Sequence, residues 1–256
     1  MNKIEELKKI INESNNIVFF GGAGVSTESG IKDFRSEKGL YQQKYPKQTE
    51  YYLSSKCFYE EPITFFKFYK ENFNCLNAKP NTTHKYLTKL ETAGKLKAII
   101  TQNIDGLHQK ANSQNVLEIH GSIYRNHCLN CHKSYPASFI FNSKGIPRCS
   151  CGGIIKPDVV LYGESLPEDY ITASYYINKA DTLIVAGSSL TVEPASSLIK
   201  IFTGKNLIII NRDKTPYDNY ATLLINENLK NIIEKLLNCK GKFHFEKLNS
   251  TFVQDL

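Results

Sequence analysis

The sequence of 256 residues predicts an α/β fold, a parallel sheet with helices on both faces and a smaller domain attached. Three observations point that way. Short continuous apolar runs, the pattern of strands buried on both faces, recur along the chain. Stretches with helical periodicity separate several of these runs. Two segments, 36–78 and 124–157, break the alternation and read as insertions between sheet strands.

The first element is an amphipathic helix over 3–14, because Ile4, Leu7, Ile10 and Ile11 recur at helical spacing. Ile17 to Phe20 is the first strand. Residues 36–78, crowded with aromatics from Tyr41 to Phe73, read as helices and loops. A helix over 82–93 leads into strands at Ala98–Thr101 and Val116–Ile119. Beyond the cysteine-bearing segment come helix 168–178, strand Thr182–Ala186, helix 194–203, strand Leu207–Ile210, strand Ala221–Ile225 and helix 228–238. Residues 240–256 read as a loosely attached tail. The expected division is a large domain of 1–35, 79–123 and 158–239, with 36–78 and 124–157 forming the small domain.

Composition excludes several classes. With 41% hydrophobic and 22% charged residues the chain is ordinary for a soluble globular protein. No apolar run approaches the roughly 20 residues that span a bilayer. The start, Met1 to Leu7, lacks the apolar block of a signal peptide, so the expected location is cytoplasmic. The net charge of +7 comes from 32 basic and 25 acidic residues. The lysines are scattered and form no basic tail or helix face, so no direct nucleic-acid partner is expected.

Polar and glycine residues gather at the strand ends. Gly22-Ala23-Gly24 with Ser26 and Thr27 follows the first strand, as a phosphate-binding turn does, although the third glycine of the usual fingerprint is missing. Asp33-Phe34-Arg35 comes directly behind it, which mere phosphate binding does not require. Gln102-Asn103-Ile104-Asp105 follows the second strand, and His120 the third. Gly187-Ser188-Ser189 and Asn211 follow two later strands. All lie at the carboxyl edge of the proposed sheet, where such sheets bind ligands. His120 is the candidate base, since an imidazole titrates near ~6.5.

Cys128-x2-Cys131 and Cys149-x-Cys151, separated by seventeen residues, have the arithmetic of a four-thiolate zinc site. Four thiolates leave no open position, so the metal is structural. Cys57, Cys75 and Cys239 remain, an odd set that fits a reducing compartment.

These motifs, together with Pro157-Asp158-Val159-Val160-Leu161-Tyr162-Gly163-Glu164, stand in the order found in sirtuins. Over roughly residues 3–238 the chain resembles the sirtuin (silent information regulator) family, bacterial NAD-dependent protein-lysine deacylases. The resemblance implies a Rossmann-like domain, plus a small domain of a zinc-ribbon module and a helical module, with NAD and an acyl-lysine peptide meeting between them. It assigns Gly22, Ala23, Gly24, Ser26 and Thr27 to the NAD phosphate side. Asp33, Phe34 and Arg35 go to the nicotinamide-ribose end. Ile104 and Asp105 would bind the nicotinamide amide, and Gln102 and Asn103 would position ribose and water. Gly187, Ser188, Ser189, Asn211 and Leu229 would form the adenosine side, and His120 the base. Val159, Val160, Leu161, Tyr162 and Gly163 would pair with the substrate backbone as an added strand. The implied reaction moves the acyl group from lysine to ADP-ribose and releases nicotinamide. Phe66-Lys67-Phe68-Tyr69 has no arginine, so the acyl pocket is expected to be neutral. Two other readings remain open on sequence: a mono-ADP-ribosyltransferase on the same scaffold, and a non-catalytic NAD-sensing zinc-ribbon regulator. The oligomeric state is open too, a monomer being compatible.

Overall fold

A computed structural model describes residues 2–37 and 39–238. Cys239, His244 and the expected tail at 240–256 lie outside the described residues. The chain opens with α1 (Lys3–Glu13), whose start is fixed by a capping box. The Asn2 side chain accepts from the Ile4 N–H, and the Glu5 carboxylate accepts from the Asn2 N–H. Ile4, Leu7 and Ile11 then fall on one buried face.

Strand β1 (Ile17–Gly21) is buried throughout, and β2 (Leu96–Thr101) and β3 (Val116–Glu118) extend the sheet on one side of it. An antiparallel ribbon of β4 (Gly121–Cys128) and β5 (Ile155–Val159) stands apart from this sheet. The other side is built by β6 (Thr182–Ala186), β7 (Asn206–Ile210) and β8 (Leu223–Ile225). The sheet order is β3-β2-β1-β6-β7-β8 and every pairing is parallel. Counting only its own six strands, that is the doubly wound order 3-2-1-4-5-6 of dinucleotide-binding folds.

Successive side chains of a strand face opposite sides. Ile17 and Phe19 of β1 therefore join Ile208 and Ile210 of β7 in one apolar layer. This layer is covered by α1, by α5 (Thr82–Thr92) and by α9 (Leu229–Asn238), through residues such as Leu87, Leu90 and Ile232. Val18 and Phe20 face the other layer, under α8 (Asp169–Lys179) and the 3-10 turns of Ala195–Ile201. The sequence predicts an ordinary helix over 194–203. The tighter winding occurs in a stretch of serines and β-branched isoleucines behind Pro194, which are weak helix formers.

Segment 36–78 is helical, with α2 (Thr49–Tyr52), α3 (Ser55–Glu60) and α4 (Pro62–Phe73). Its aromatics stack on one another, for example Tyr69 on Phe65 and Phe73 with near-parallel rings, and Tyr69 also stacks on Phe141 of the cysteine-bearing segment. Phe66, Phe68 and Tyr69 are buried in this packing. Phe58, Phe65 and Phe66 share one apolar cluster with Ile123, Cys128 and Ile155 of the ribbon and Cys149 of the connection between its strands. Two further short helices, α6 (Leu107–Lys110) and α7 (Ala137–Asn142), complete the described chain.

The ribbon leaves β3 through Gly121, which has φ +77°. A Cβ there would lie 1.9 Å from the Asp158 carbonyl oxygen. Gly121→Ala is therefore expected to cost at least about 2 kcal/mol of stability, read from urea denaturation midpoints. A variant as stable as the parent would mean the ribbon does not pack this tightly.

Candidate active site and metal centre

All six sheet strands run the same way, so their exits line one edge, and the polar and glycine residues that follow β1, β2, β3, β6 and β7 lie along it. β1 ends in Gly22-Ala23-Gly24, and β6 ends in Gly187. The Gly24 N–H donates to the Gly187 carbonyl at 2.8 Å. A Cβ on Gly22 would lie 2.8 Å from that oxygen, and one on Gly24 2.7 Å from Gly187 Cα. No larger residue fits either position. The loop continues as two 3-10 turns, Ala23–Val25 and Thr27–Ser29, and the Thr27 hydroxyl donates to the Gly24 carbonyl at 3.1 Å. Asn81, which caps α5, donates from Nδ2 to the Val25 carbonyl and the Ser29 hydroxyl, tying the loop to the helix behind it. Sequence reasoning passed over Asn81. Its signal was the Asn before the helical pattern at 82, a capping residue.

Asp33 accepts from the Ser36 N–H at 2.9 Å and so shapes the next turn. Phe34 meets the edge of Tyr41 and packs near Phe73. Arg35 is exposed, with its guanidinium 5.0 Å from the Tyr41 ring centroid.

A chain of polar contacts joins the exits of β1 and β2. Asn103 Nδ2 donates to the Gly22 carbonyl at 3.1 Å and to the Ser26 hydroxyl at 3.0 Å. The Ser26 hydroxyl in turn donates to Asp105 Oδ2 at 2.6 Å, and the Leu107 N–H donates to Asp105 Oδ1 at 2.9 Å. Asp105 is 4% exposed, and burial pushes its carboxyl up, against the lowering effect of these two donors. Ile104 packs as a partly buried residue against the small-domain cluster. Gln102 connects three exits: its backbone N–H donates to the Gly21 carbonyl, and its side-chain oxygen accepts from Ser188 at 2.8 Å. Its carbonyl lies 3.1 Å from His120 Nδ1. Since a carbonyl only accepts, Nδ1 carries the proton and Nε2 keeps its lone pair. Burial lowers the His120 pKa, with the Gln102 carbonyl pulling the other way.

The remaining predicted residues fall in two places. Ser189 bonds Thr191 through its hydroxyl, and Asn211, at the exit of β7, donates from Nδ2 to the Asp213 carbonyl. Leu229 is buried at the start of α9 within the apolar layer. Val159 ends β5, and Val160, Leu161, Tyr162 and Gly163 continue beside it. The Val160 N–H donates to the His120 carbonyl, and Tyr162 exchanges backbone bonds with Leu53 and Ser55. The Tyr162 hydroxyl is 3.0 Å from that of Tyr41.

Cys128, Cys131, Cys149 and Cys151 bring their four Sγ atoms within 4.8 Å of one another. The Cys128–Cys151, Cys131–Cys149 and Cys131–Cys151 separations are 3.4, 3.5 and 3.5 Å. A tetrahedron with Zn–S bonds of about 2.3 Å has edges of about 3.8 Å, so the donor set suits zinc. Backbone donation from Cys151, then the Tyr135 hydroxyl at 3.0 Å, pulls the Cys149 thiol down to about 5. Thiolates this close repel one another, and a divalent cation at their centre removes that cost. Gly153 is required, since a Cβ there would lie 2.6 Å from Cys128 Sγ.

A doubly wound sheet with a glycine turn at its switch point, an imidazole oriented at a neighbouring exit and a four-cysteine module define a nucleotide-binding enzyme with a structural metal. The family model that matches residues 22–194, more than half of the chain, is that of the Sir2 family. An NAD-dependent protein deacetylase of Clostridium perfringens is 54% identical over 244 residues, covering 92% of this chain and 98% of the relative. One from Clostridium acetobutylicum is 53% identical over 93% of this chain and 99% of the relative. A Sir2 structure with a p53 peptide and NAD+ superposes with a TM-score of 0.80 at 39% identity, covering 91% and 95% of the two chains. Another, bound to a propionylated peptide, gives 0.83 at 37%, covering 93% and 98%. This chain belongs to the Sir2 family.

Purified without chelator, the protein is expected to carry about one zinc per chain by elemental analysis. Cys149→Ser is expected to lose the metal and unfold at lower temperature, because bound metal contributes folding free energy to a small module. Metal-free protein of unchanged thermal midpoint would contradict the assignment.

Proposed function

We propose that the chain is an NAD-dependent protein-lysine deacetylase, moving an acyl group from lysine to ADP-ribose with release of nicotinamide. The observation that carries this reading is His120, with Nδ1 committed to the Gln102 carbonyl and Nε2 free, beside the Asn103–Ser26–Asp105 chain. A ribose hydroxyl that must lose its proton needs such a neutral imidazole with a free nitrogen. The reading is supported by relatives named as NAD-dependent deacetylases and by Sir2 structures holding NAD+ and acetylated or propionylated peptides.

The roles proposed are those the family resemblance implies. Gly22, Ala23, Gly24, Ser26 and Thr27 offer a backbone turn to the pyrophosphate. Asp33, Phe34 and Arg35 close over the nicotinamide-ribose end. Ile104 and Asp105 receive the nicotinamide amide. Asp105's two oxygens are held apart by different donors, so it stays oriented. Asn103 and Gln102 position ribose and water, and His120 Nε2 takes the ribose proton. Gly187, Ser188, Ser189 and Asn211 line the adenosine side. Zinc in the cysteine module holds the ribbon and takes no part in the reaction. Residues 1–35, 79–123 and 158–239 act as the nucleotide-binding domain, with 36–78 and 124–157 as the small domain, whose modules share one apolar cluster. Among the described residues no helix is long and apolar enough to cross a membrane, and four metal-binding thiols suit a reducing cytoplasm.

Because burial lowers the His120 pKa, the base stays neutral to a lower pH than free imidazole. Activity is present above that pKa and lost as pH falls through it, so the acid limb of kcat/KM is expected below about 6.5. A midpoint at or above that value would contradict the buried base.

His120→Ala is expected to deacetylate about 10²- to 10⁴-fold more slowly than the parent. It is expected to keep exchanging labelled nicotinamide into NAD, because nicotinamide leaves before the base acts. Asp105→Ala is expected to lose both activities. Near-parental deacetylation by the His120 variant, or a gain of ADP-ribose on the peptide by mass spectrometry in place of acetyl loss, would overturn the mechanism.

A further inference from the structure

A lysine is rarely buried without a partner. Lys156, in β5, is 8% exposed. Its ammonium has three hydrogens and three acceptors: the Pro157 carbonyl at 3.3 Å, the Val159 carbonyl at 3.2 Å and Glu164 Oε2 at 3.1 Å. It also lies 5.9 Å from the ring centroid of the buried Phe58 in α3. The same Glu164 oxygen accepts the Leu161 N–H at 2.9 Å, and the Glu164 N–H returns to the Leu161 carbonyl at 2.9 Å. One ion pair thus closes residues 157–164 from the inside.

We infer that Lys156 and Glu164 are positioning residues for the acylated peptide: their ion pair, buried at the lysine and half-buried at the glutamate, holds segment 159–163 in the shape that accepts an added strand. The inference rests on the reading of that segment as the peptide-binding strand. The segment is bonded to the rest of the molecule through alternate residues, Val160 to the His120 carbonyl and Tyr162 to Leu53 and Ser55. Leu161, between them, has its N–H held by Glu164. Replacing the carboxylate by an amide keeps an acceptor for the Leu161 N–H but leaves the buried ammonium without a counter-charge, and the segment must rearrange to resolvate it. The pair touches none of the residues placed around NAD, so its removal acts on the peptide and leaves the dinucleotide.

The test is steady-state kinetics of Glu164→Gln and of the double variant Lys156→Met/Glu164→Gln, varying an acetyl-lysine peptide and NAD in turn. Amide hydrogen exchange of the parent protein with and without peptide accompanies it. Glu164→Gln is expected to raise the peptide KM about tenfold, with the NAD KM and kcat within about twofold of the parent. The double variant is expected to recover part of this loss, keeping a peptide KM about threefold high, because no buried ammonium is left unpaired. Exchange at 159–163 is expected to slow when peptide binds. If peptide does not slow exchange there, the strand reading falls, and this inference with it. If exchange slows but the peptide KM of Glu164→Gln is unchanged, or the NAD KM rises equally, the positioning role falls and the strand reading stands. Should the single variant fail to fold, the double variant decides by the same criterion: an unchanged peptide KM overturns the role.

Discussion

Two backbones touch where β1 and β6 leave the sheet, and the rest of the site depends on that approach. The Gly24 N–H reaches the Gly187 carbonyl, and neither glycine leaves room for a Cβ. The sheet order reverses between these two strands, so the chains that follow them diverge and leave a crevice at the carboxyl edge. With the loops pressed together, Gln102 can bond Ser188 on one side and His120 on the other. A single side-chain substitution at either glycine would separate residues that come from four different strand exits.

Within the crevice, burial sets the protonation states and fixed donors set the orientations. Asp105 and His120 are both pushed toward their neutral forms by desolvation. Ser26 and the Leu107 N–H counter this at Asp105, which keeps an oriented acceptor in an apolar surround. At His120 the Gln102 carbonyl fixes the tautomer, so one nitrogen is structural and the other is available. The charge of Lys110 adds a smaller pull on Asp105 in the same direction as its two donors.

The small domain solves a different problem. Its two modules are insertions that cannot each bury a core alone. They share one, in which phenylalanines of α3 and α4 pack against the buried cysteines and isoleucines of the ribbon. Four thiolates around a metal would cross-link the far end of that ribbon. The near end carries the segment from Val159 to Gly163, between the base and the helical module. Cysteine module, aromatic core and the segment from Val159 to Gly163 are therefore one mechanical unit.

The strands of the sheet, the helices over 3–14, 82–93, 168–178 and 228–238, the cysteine set and the polar residues at the strand exits were legible in the chain before it folded. Each has a local cause: continuous apolar runs, helical periodicity, paired cysteine spacing and glycine turns behind strands. Long-range packing was needed for the ribbon of β4 and β5, whose partners lie 27 or more residues apart and alternate too weakly to announce a pair. It also turned 194–203 into 3-10 turns, put Leu229 in the core, and spent the aromatics of Phe66 to Tyr69 on packing. The bond from Gln102 to His120 and the ion pair of Lys156 with Glu164 were equally invisible. Such contacts depend on which backbone groups remain unpaired after the strands have docked, and no local pattern in a chain records that.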